Sequence, residues 1–173
     1  EAQPDKAAYA SDTVHSYVFF RIRHLGASWN YGRFNDFTTS IEADPATGAV
    51  ASVAFTVKAE SVDTGNAARD KHIRNPDFLN SKQFPEITFR STSAKAIDAE
   101  TTEVAGELTL HGETKPLTVQ VKKVGEGKGM KGESLVGWET TFTVKRSEFG
   151  MTNMVGPLGD EITMTVAVEG SKQ

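Results

Sequence analysis

Alternating side chains restrict the fold of this chain more than any other feature of its sequence. Residues 12–26 read DTVHSYVFFRIRHLG, and every second side chain belongs to one row. That row contains Val14, Ser16, Val18, Phe20, Ile22 and His24. Successive side chains of a β-strand point to opposite faces, so this period of two predicts a long strand with one mainly apolar face. Ser16 and His24 need polar partners if they face inward, and they raise the first question about a site.

The same alternation returns along the rest of the chain and predicts about eight strands. The second strand changes phase near residues 35–36, which indicates a bulge that bends it. Residues 63–80 lack the alternation and place Asp70 four positions before Arg74, a favourable pair on a helix. We therefore predict a helix over residues 66–74 that ends before Pro76, with a further helical turn near residues 77–79. Strands do not alternate with helices, so the sheet should be antiparallel, and eight such strands close into a barrel.

Composition removes several classes of protein from consideration. The formal net charge is −4 and lysines and arginines form no block, which argues against a nucleic-acid-binding protein. The chain has no cysteine, so it has neither a disulfide framework nor a thiol nucleophile, as fits an oxidising compartment. No apolar run is long enough for a transmembrane helix. The length suits one domain, which we place at residues 11–170 after an N-terminal extension at residues 1–10.

The polar residues form no recognisable catalytic or metal-binding motif. His15 and Ser16 are neighbours on a predicted strand, so they point to opposite faces and cannot act on one substrate. The sequence has neither a G-x-S-x-G elbow nor an H-E-x-x-H motif. We therefore expect no catalytic residues, no metal site and no required cofactor.

The densest charged cluster lies on the predicted helix and consists of Arg69, Asp70, His72 and Arg74. One interpretation is a solvated helix face with an ion pair. The other is a lid over the mouth of the barrel, from which an arginine or histidine reaches a polar ligand head.

The predicted inward rows are almost entirely apolar. They contain Val18, Phe20, Ile22, Phe34, Val53, Phe55, Phe89, Leu108, Trp138, Phe142 and Met164. These side chains could fill a packed core, or they could line a tunnel for a long apolar ligand. Small or polar inward residues such as Gly106 and Thr140 leave room, because a packed core prefers larger groups. The residues alone leave both interpretations open.

Several motifs resemble those of the YceI-like family. They include D-x-x-H-S at residues 12–16, F-x-I-x-H-L-G at 20–26, R-D-x-H-[LI]-R at 69–74, G-E-L-T-L-H-G at 106–112 and R-S-E-F-G-M at 146–151. They occur in the family's order over nearly the whole chain. The resemblance implies an all-β fold, an eight-stranded antiparallel lipocalin-like barrel with one short helical insertion at about residues 66–80.

The resemblance also implies a function. Members of the family enclose a long-chain isoprenoid or other amphiphilic lipid, so the inward apolar rows become the walls of a ligand-binding tunnel. The expected ligand is a bound polyprenyl lipid or isoprenoid quinone that is stored, shielded or transported. The family's recurrent polar positions, which either contact the ligand head or anchor the helix to the barrel, are His15, Ser16, His24, Arg69, Asp70, His72 and Arg74.

Other expectations follow from the same resemblance. The family is mostly bacterial and periplasmic or secreted, so we expect that localisation here. It is compatible with transient membrane contact and with a homodimer. Two alternative functions remain open: an accessory module of a larger secreted or redox enzyme, and an enzyme that acts on the bound lipid.

Overall fold

Eleven β-strands and one α-helix make up the computed structural model, which describes residues 5–173. The strands are β1 (Ala7–Ser11), β2 (Tyr17–His24), β3 (Ser28–Phe34), β4 (Phe37–Ala43), β5 (Val50–Lys58), β6 (Val62–Asp63), β7 (Glu86–Ala96), β8 (Thr101–Leu110), β9 (Glu113–Lys128), β10 (Ser134–Lys145) and β11 (Leu158–Lys172). The helix α1 is Ala67–Arg74, and single 3-10 turns occupy Ala59–Ser61 and Arg146–Phe149. Within the described residues, no helix is long and apolar enough to cross a membrane.

Three pairs of consecutive strands each behave as one long, interrupted strand, so the eleven strands fill eight positions in a closed barrel. These pairs are β1 with β2, β3 with β4, and β5 with β6. The first interrupted strand lies beside the second, because β1 pairs with β4 and β2 with β3. The second lies beside the third, because β4 pairs with β5 and β3 with β6. β5 then pairs with β7, and β7 to β11 follow in chain order. β11 pairs with both β1 and β2, which closes the ring. All of these pairings are antiparallel, so the predicted eight-stranded antiparallel barrel with one short helix is confirmed.

The predicted bend near residues 35–36 separates β3 from β4. The backbone N–H of Asn35 donates to the carbonyl oxygen of Ser61 at 3.1 Å, and that of Lys58 donates to Asp36 at 2.9 Å. Hydrogen bonding therefore continues across the kink, and the 3-10 turn on the neighbouring strand takes up the change of direction.

The first predicted strand is interrupted at residues 12–16, and the placement of Val14 in its inward row is wrong. Val14 is 72% exposed. The side chain of Asp12 accepts a hydrogen bond from the backbone N–H of Val14 at 2.8 Å, and its carboxylate also pairs with His15. An aspartate that bonds the backbone two residues ahead makes a turn, so the alternation stops here and resumes at Tyr17.

Part of the predicted N-terminal extension belongs to the barrel. Residues 7–10 lie in β1, where Tyr9 is buried between Ile41 of β4 and Lys172 of β11. The strand fills the gap between β4 and β11 and completes the ring. Residues 1–4 lie outside the described residues.

The helix α1 forms where the sequence predicts it. The Asn66 side chain caps its first turn by accepting from the N–H of Arg69 at 2.9 Å, and the helix ends at Asn75, before Pro76. The further helical turn expected near residues 77–79 is wrong. That segment forms hydrogen-bonded turns instead, in which the N–H of Leu79 reaches back to Ile73 at 2.9 Å.

Candidate functional site

The barrel encloses a cavity of about 550 Å³. All eleven apolar residues predicted to face inward, from Val18 on β2 to Met164 on β11, line it. Valines such as Val53, Val57 and Val166 also form its walls, and their short side chains do not reach the axis of an eight-stranded barrel. Ligand sites typically have volumes of roughly 300–1,000 Å³, so the interior has the size of a binding site and is not a filled core.

One end of the barrel is closed by buried side chains. Trp138 is 3% exposed, and its indole N–H donates to the carbonyl oxygen of Gly48 at 2.9 Å, in the turn between β4 and β5. Tyr9 packs edge-on against Trp138, with ring centroids 5.2 Å apart, and Val50 and Val104 are buried beside them. We call this the closed end.

The opposite end, which we call the mouth, is bounded by three segments. These are the turn between β2 and β3, the helix α1, and the loop at residues 150–157. The backbone N–H of Leu25 in the first segment donates to Pro157 in the third at 2.7 Å. Leu25 and Met154 line the cavity and are also 64% and 50% exposed, so the cavity reaches the surface here.

Several polar side chains line the cavity at the mouth. Arg69 donates to the hydroxyl and the carbonyl oxygen of Thr64, each at 2.8 Å, and His72 pairs with Asp77 at 3.0 Å. His24 and Asn30 also line the cavity, and within residues 5–173 their side chains make no hydrogen bond. These two side chains are therefore free to meet a polar ligand head, whereas Arg69 and His72 already have partners.

Four of the seven predicted polar residues lie away from the cavity, and two of them anchor the helix. Asp70 is 8% exposed and accepts from the N–H and the hydroxyl of Thr64 at 2.8 and 2.6 Å. Arg74 donates to the carbonyl oxygens of Glu60 and Val62 at 2.7 and 3.0 Å. These contacts tie α1 to the strand formed by β5 and β6. For Asp70 and Arg74 the structure therefore shows the anchoring contacts that the sequence left as one of two alternatives.

The other two, His15 and Ser16, hold the junction between β1 and β2. Ser16 is buried and accepts from the backbone N–H of Glu169 at 3.0 Å. His15 lies at the surface, 2.6 Å from the carboxylate of Asp12. This hydrogen bond raises the pKa of His15 and lowers that of Asp12. His15, Asp12 and Glu169 each offer a ligand atom within 4.8 Å of the others, so this group could hold a metal ion.

Sequence reasoning missed Arg146, which is only 2% exposed. Its guanidinium donates to four carbonyl oxygens at 2.7–3.1 Å, those of Met151, Asn153, Leu158 and Gly159. Burial lowers the pKa of the guanidinium, and the charge of the nearby Asp160 opposes this effect. Arg146 thus holds the loop at the mouth in place. The only signal for it in the sequence was its place in the R-S-E-F-G-M motif.

Comparison with known proteins gives consistent results. A family model described as a YceI-like domain matches residues 9–170. The Escherichia coli protein YceI is 41% identical over 159 residues, which cover 92% of this chain and 83% of that protein. A crystal structure of the Campylobacter jejuni YceI protein superposes with a TM-score of 0.80 at 31% identity, covering 88% of this chain and 90% of the other.

A more distant likeness concerns a domain from Saccharophagus degradans that is described as polyisoprenoid-binding and implicated in plant cell wall breakdown. The two structures superpose with a TM-score of 0.70 at 13% identity, covering 96% of this chain and 99% of the other. At this level of identity the comparison shows a shared fold.

Proposed function

Because this chain belongs to the family of YceI-like domains, we propose that its barrel binds a long-chain polyisoprenoid lipid with a quinone-like or simple polyprenyl head, and that it stores, shields or transports this lipid. The observation that carries the proposal is the apolar cavity, which is closed at one end and open at the other. The Saccharophagus degradans domain, which has the same fold, is described as polyisoprenoid-binding and supports the same ligand class.

The energetics of the cavity favour a long apolar tail. Burial of one CH₂ group contributes about 0.8 kcal/mol, so a tail of about twenty carbons would gain ~16 kcal/mol before the cost of ordering it. Ordering and immobilisation consume much of this gain. The length of the cavity should therefore select the tail, while the few polar groups at the mouth select the head.

The proposed orientation places the tail toward the closed end and the head at the mouth. At the closed end Trp138 lies beside the buried Val50 and Val104, and its indole N–H already donates to the carbonyl oxygen of Gly48. His24 and Asn30 offer free polar groups at the other end. A polar head buried among the valines would lose its hydrogen bonds to water without replacement.

Native mass spectrometry of the protein as isolated tests the proposal. We expect a bound mass in the polyprenyl range, and extraction with organic solvent should identify the lipid. If the protein has a clean apo mass and takes up no prenyl quinone on titration, the proposal is wrong.

A cavity-filling substitution makes the test specific to the interior. Val166→Trp adds bulk to a residue that lines the cavity, whereas the adjacent Thr165 belongs to the outer row of the same strand. We expect Val166→Trp to reduce lipid uptake by at least tenfold and Thr165→Trp to leave it unchanged, as measured by titration with a prenyl quinone. Val53→Phe is a smaller addition to the same cavity and should shorten the longest tail accepted. Equal uptake by all of these proteins would place the lipid outside the barrel.

We further propose a binding rather than a catalytic role, in the periplasm or outside the cell. The side-chain contacts of Asp70 and Arg74 are structural, which supports binding. The absence of cysteine suits an oxidising compartment. Release of the protein from the source cells by osmotic shock tests the localisation, and retention in the cytoplasmic fraction would contradict it.

A further inference from the structure

We propose that the mouth of the barrel docks on the surface of an anionic lipid bilayer. The docking surface comprises the outer row of the hairpin formed by β2 and β3 and two loop tips beside it, namely Arg21, Arg23, Leu25, Trp29, Tyr31 and Met154. This inference goes beyond the proposed function, because it concerns what the outside of the mouth binds. Arg21, Arg23 and Trp29 do not line the cavity, whereas Leu25, Tyr31 and Met154 also border it.

Two large apolar side chains project from the loop tips at the mouth. Leu25 has a φ of 51° and is 64% exposed, and Met154 has a φ of 56° and is 50% exposed. Positive φ is uncommon for residues other than glycine, and hairpin turns of this kind favour asparagine, aspartate or glycine. Leu25 and Met154 leave half or more of their surface in water after folding. An environment that buries these two side chains would explain why apolar residues occur there.

The two tips are held next to each other and to the cavity. The hydrogen bond from Leu25 to Pro157 joins the two loops, and Arg146 fixes the second loop from below through Asn153 and Leu158. Both Leu25 and Met154 also line the cavity. They therefore form an apolar rim around the opening, which would enter the bilayer first.

The outer row of the hairpin carries aromatic rings stacked with arginines. The guanidinium carbon of Arg21 lies 4.3 Å from the ring centroid of Trp29, and that of Arg23 lies 5.1 Å from the same centroid. Trp29 is 39% exposed and Tyr31 is 62% exposed. Tryptophan and tyrosine concentrate at the interface between lipid and water, and arginines near the surface are attracted to anionic head groups.

Charge distinguishes this hairpin from the rest of the chain. The whole chain has a net charge of −4, yet residues 17–34 contain three arginines and no aspartate or glutamate. Within residues 5–173, Arg21, Arg23 and Arg33 form no salt bridge. An anionic surface would attract this hairpin and repel the rest of the protein, so the attraction also orients the mouth toward the lipid.

Binding to vesicles of defined composition tests the inference. We expect the protein to sediment with vesicles of phosphatidylcholine mixed with phosphatidylglycerol, to bind vesicles of phosphatidylcholine alone more weakly, and to be released by salt. The fluorescence of Trp29 should shift to the blue on binding, whereas Trp138 is already buried. A protein that stays in solution with both kinds of vesicle overturns the proposal and leaves a protein partner as the occupant of this surface.

Paired substitutions locate the contact. Arg21→Gln with Arg23→Gln should weaken binding to the anionic vesicles roughly thirtyfold, given the usual contribution of a basic residue near such a surface. Leu25→Ser with Met154→Ser should reduce binding to both kinds of vesicle. The matched control is Val124→Ser with Met130→Ser, which removes exposed apolar groups (71% and 106% exposed) on β9 and the turn after it. Equal loss in the control would overturn the assignment to the mouth.

Native mass spectrometry of the protein with Arg21→Gln and Arg23→Gln separates this inference from the proposed function, because neither arginine lines the cavity. Loss of vesicle binding with the lipid still bound supports the docking surface and leaves the proposed function intact. A wild-type protein that carries a lipid but ignores vesicles overturns the docking surface alone. A protein that binds vesicles through these residues but carries no lipid supports the docking surface and contradicts the proposed function.

Discussion

At the scale of single residues, Arg146 organises a segment that has no regular structure of its own. Its guanidinium donates to the carbonyl oxygens of Met151 and Asn153 in the loop that follows β10, and to those of Leu158 and Gly159 at the start of β11. Arginine remains protonated in proteins, so the charge persists although burial lowers its pKa. One side chain therefore joins the loop to the first residues of β11.

Replacement of Arg146 by methionine should destabilise the protein by about 3 kcal/mol or more, because it leaves several buried carbonyl groups unpaired. Urea unfolding measures the effect. Arg90→Met is the matched control, since the exposed Arg90 donates to Phe55 at 2.8 Å on the outside of the barrel, and we expect a loss below about 1 kcal/mol. Equal losses in both variants would contradict the organising role of Arg146.

The surface pair of Asp12 and His15 should make stability depend on pH in a defined window. The pKa of Asp12 is lowered from 3.8 and that of His15 is raised from 6.5, in each case chiefly by their mutual hydrogen bond. The contribution of the pair is therefore fully present between these two values. It is lost as the pH falls through the lowered pKa of Asp12, and also as the pH rises through the raised pKa of His15.

The difference in unfolding free energy between the wild type and Asp12→Asn, measured from pH 2 to 9, should follow this window. Asp98→Asn provides the control. The pKa of Asp98 is also lowered, chiefly by the backbone N–H of Glu100, but Asp98 has no histidine partner. Its difference should fall only on the acid side. A flat profile for Asp12→Asn would show that the pair is not formed in solution.

At the scale of elements, the position of α1 depends on polar anchors rather than on a broad apolar face. Asp70 is buried against Thr64, and Arg74 reaches across to β6. The helix has eight residues, and of these only Asp70 is fully buried. A helix this short is marginal without tertiary contacts, so the anchors decide whether it closes the mouth.

Asp70→Ala should increase amide hydrogen exchange in residues 64–74 by about tenfold or more, since loss of a buried acceptor costs about 1–3 kcal/mol. Exchange in the barrel strands should not change. Asp77→Ala removes an exposed partner of His72 and should alter exchange only slightly. If Asp70→Ala abolishes lipid binding while exchange stays as in the wild type, Asp70 contacts the ligand head and the anchoring role is wrong.

At the scale of the whole molecule, closure of the barrel depends on its short first strand, β1. β1 covers the edges of β4 and β11, and Tyr9 packs on Trp138 at the closed end. Without β1, two edges of the sheet would be open for pairing with other chains.

Deletion of residues 1–11 should produce larger oligomers than the full chain forms and lower the melting temperature, whereas deletion of residues 1–5 should change neither the elution volume nor the melting temperature. Size-exclusion chromatography with light scattering and thermal unfolding measure both effects. This comparison also sets the boundary of the domain, which the sequence placed after residue 10. An unchanged melting temperature for the longer deletion would show that β1 is dispensable.

Much of the barrel could be predicted because its side chains alternate. The inward positions of Phe20, Phe55 and Met164 follow from the period of two alone. β1 escaped prediction because five residues are too few to establish a period, and Val14 was misplaced because the side chain of Asp12 makes a turn. The error at Val14 reflects the competition between local side-chain hydrogen bonds and strand pairing.

Of the candidate site, only the residues that line the cavity could be predicted from the sequence. Which residues face inward follows from alternation, but the amount of space between them depends on the strand number, the stagger and the packing of all eight positions together. The partners of Arg69, Asp70 and Arg74 are backbone and hydroxyl groups that have no distinctive sequence pattern. Arg146 was missed for the same reason, because all four of its acceptors are backbone carbonyl groups.

The closure of one end by Trp138 limits how a ligand can enter and leave the barrel. A cavity with a single opening allows a ligand to exchange but not to pass through the protein. A ligand that enters tail first has to leave head first, and a second ligand can enter only after the first has left. The protein would then act as a diffusing carrier rather than as a fixed conduit. The rate of delivery would scale with the number of protein molecules and with how often each one meets the donor and the acceptor of the ligand. A concentration gradient could not drive the ligand through a stationary protein molecule.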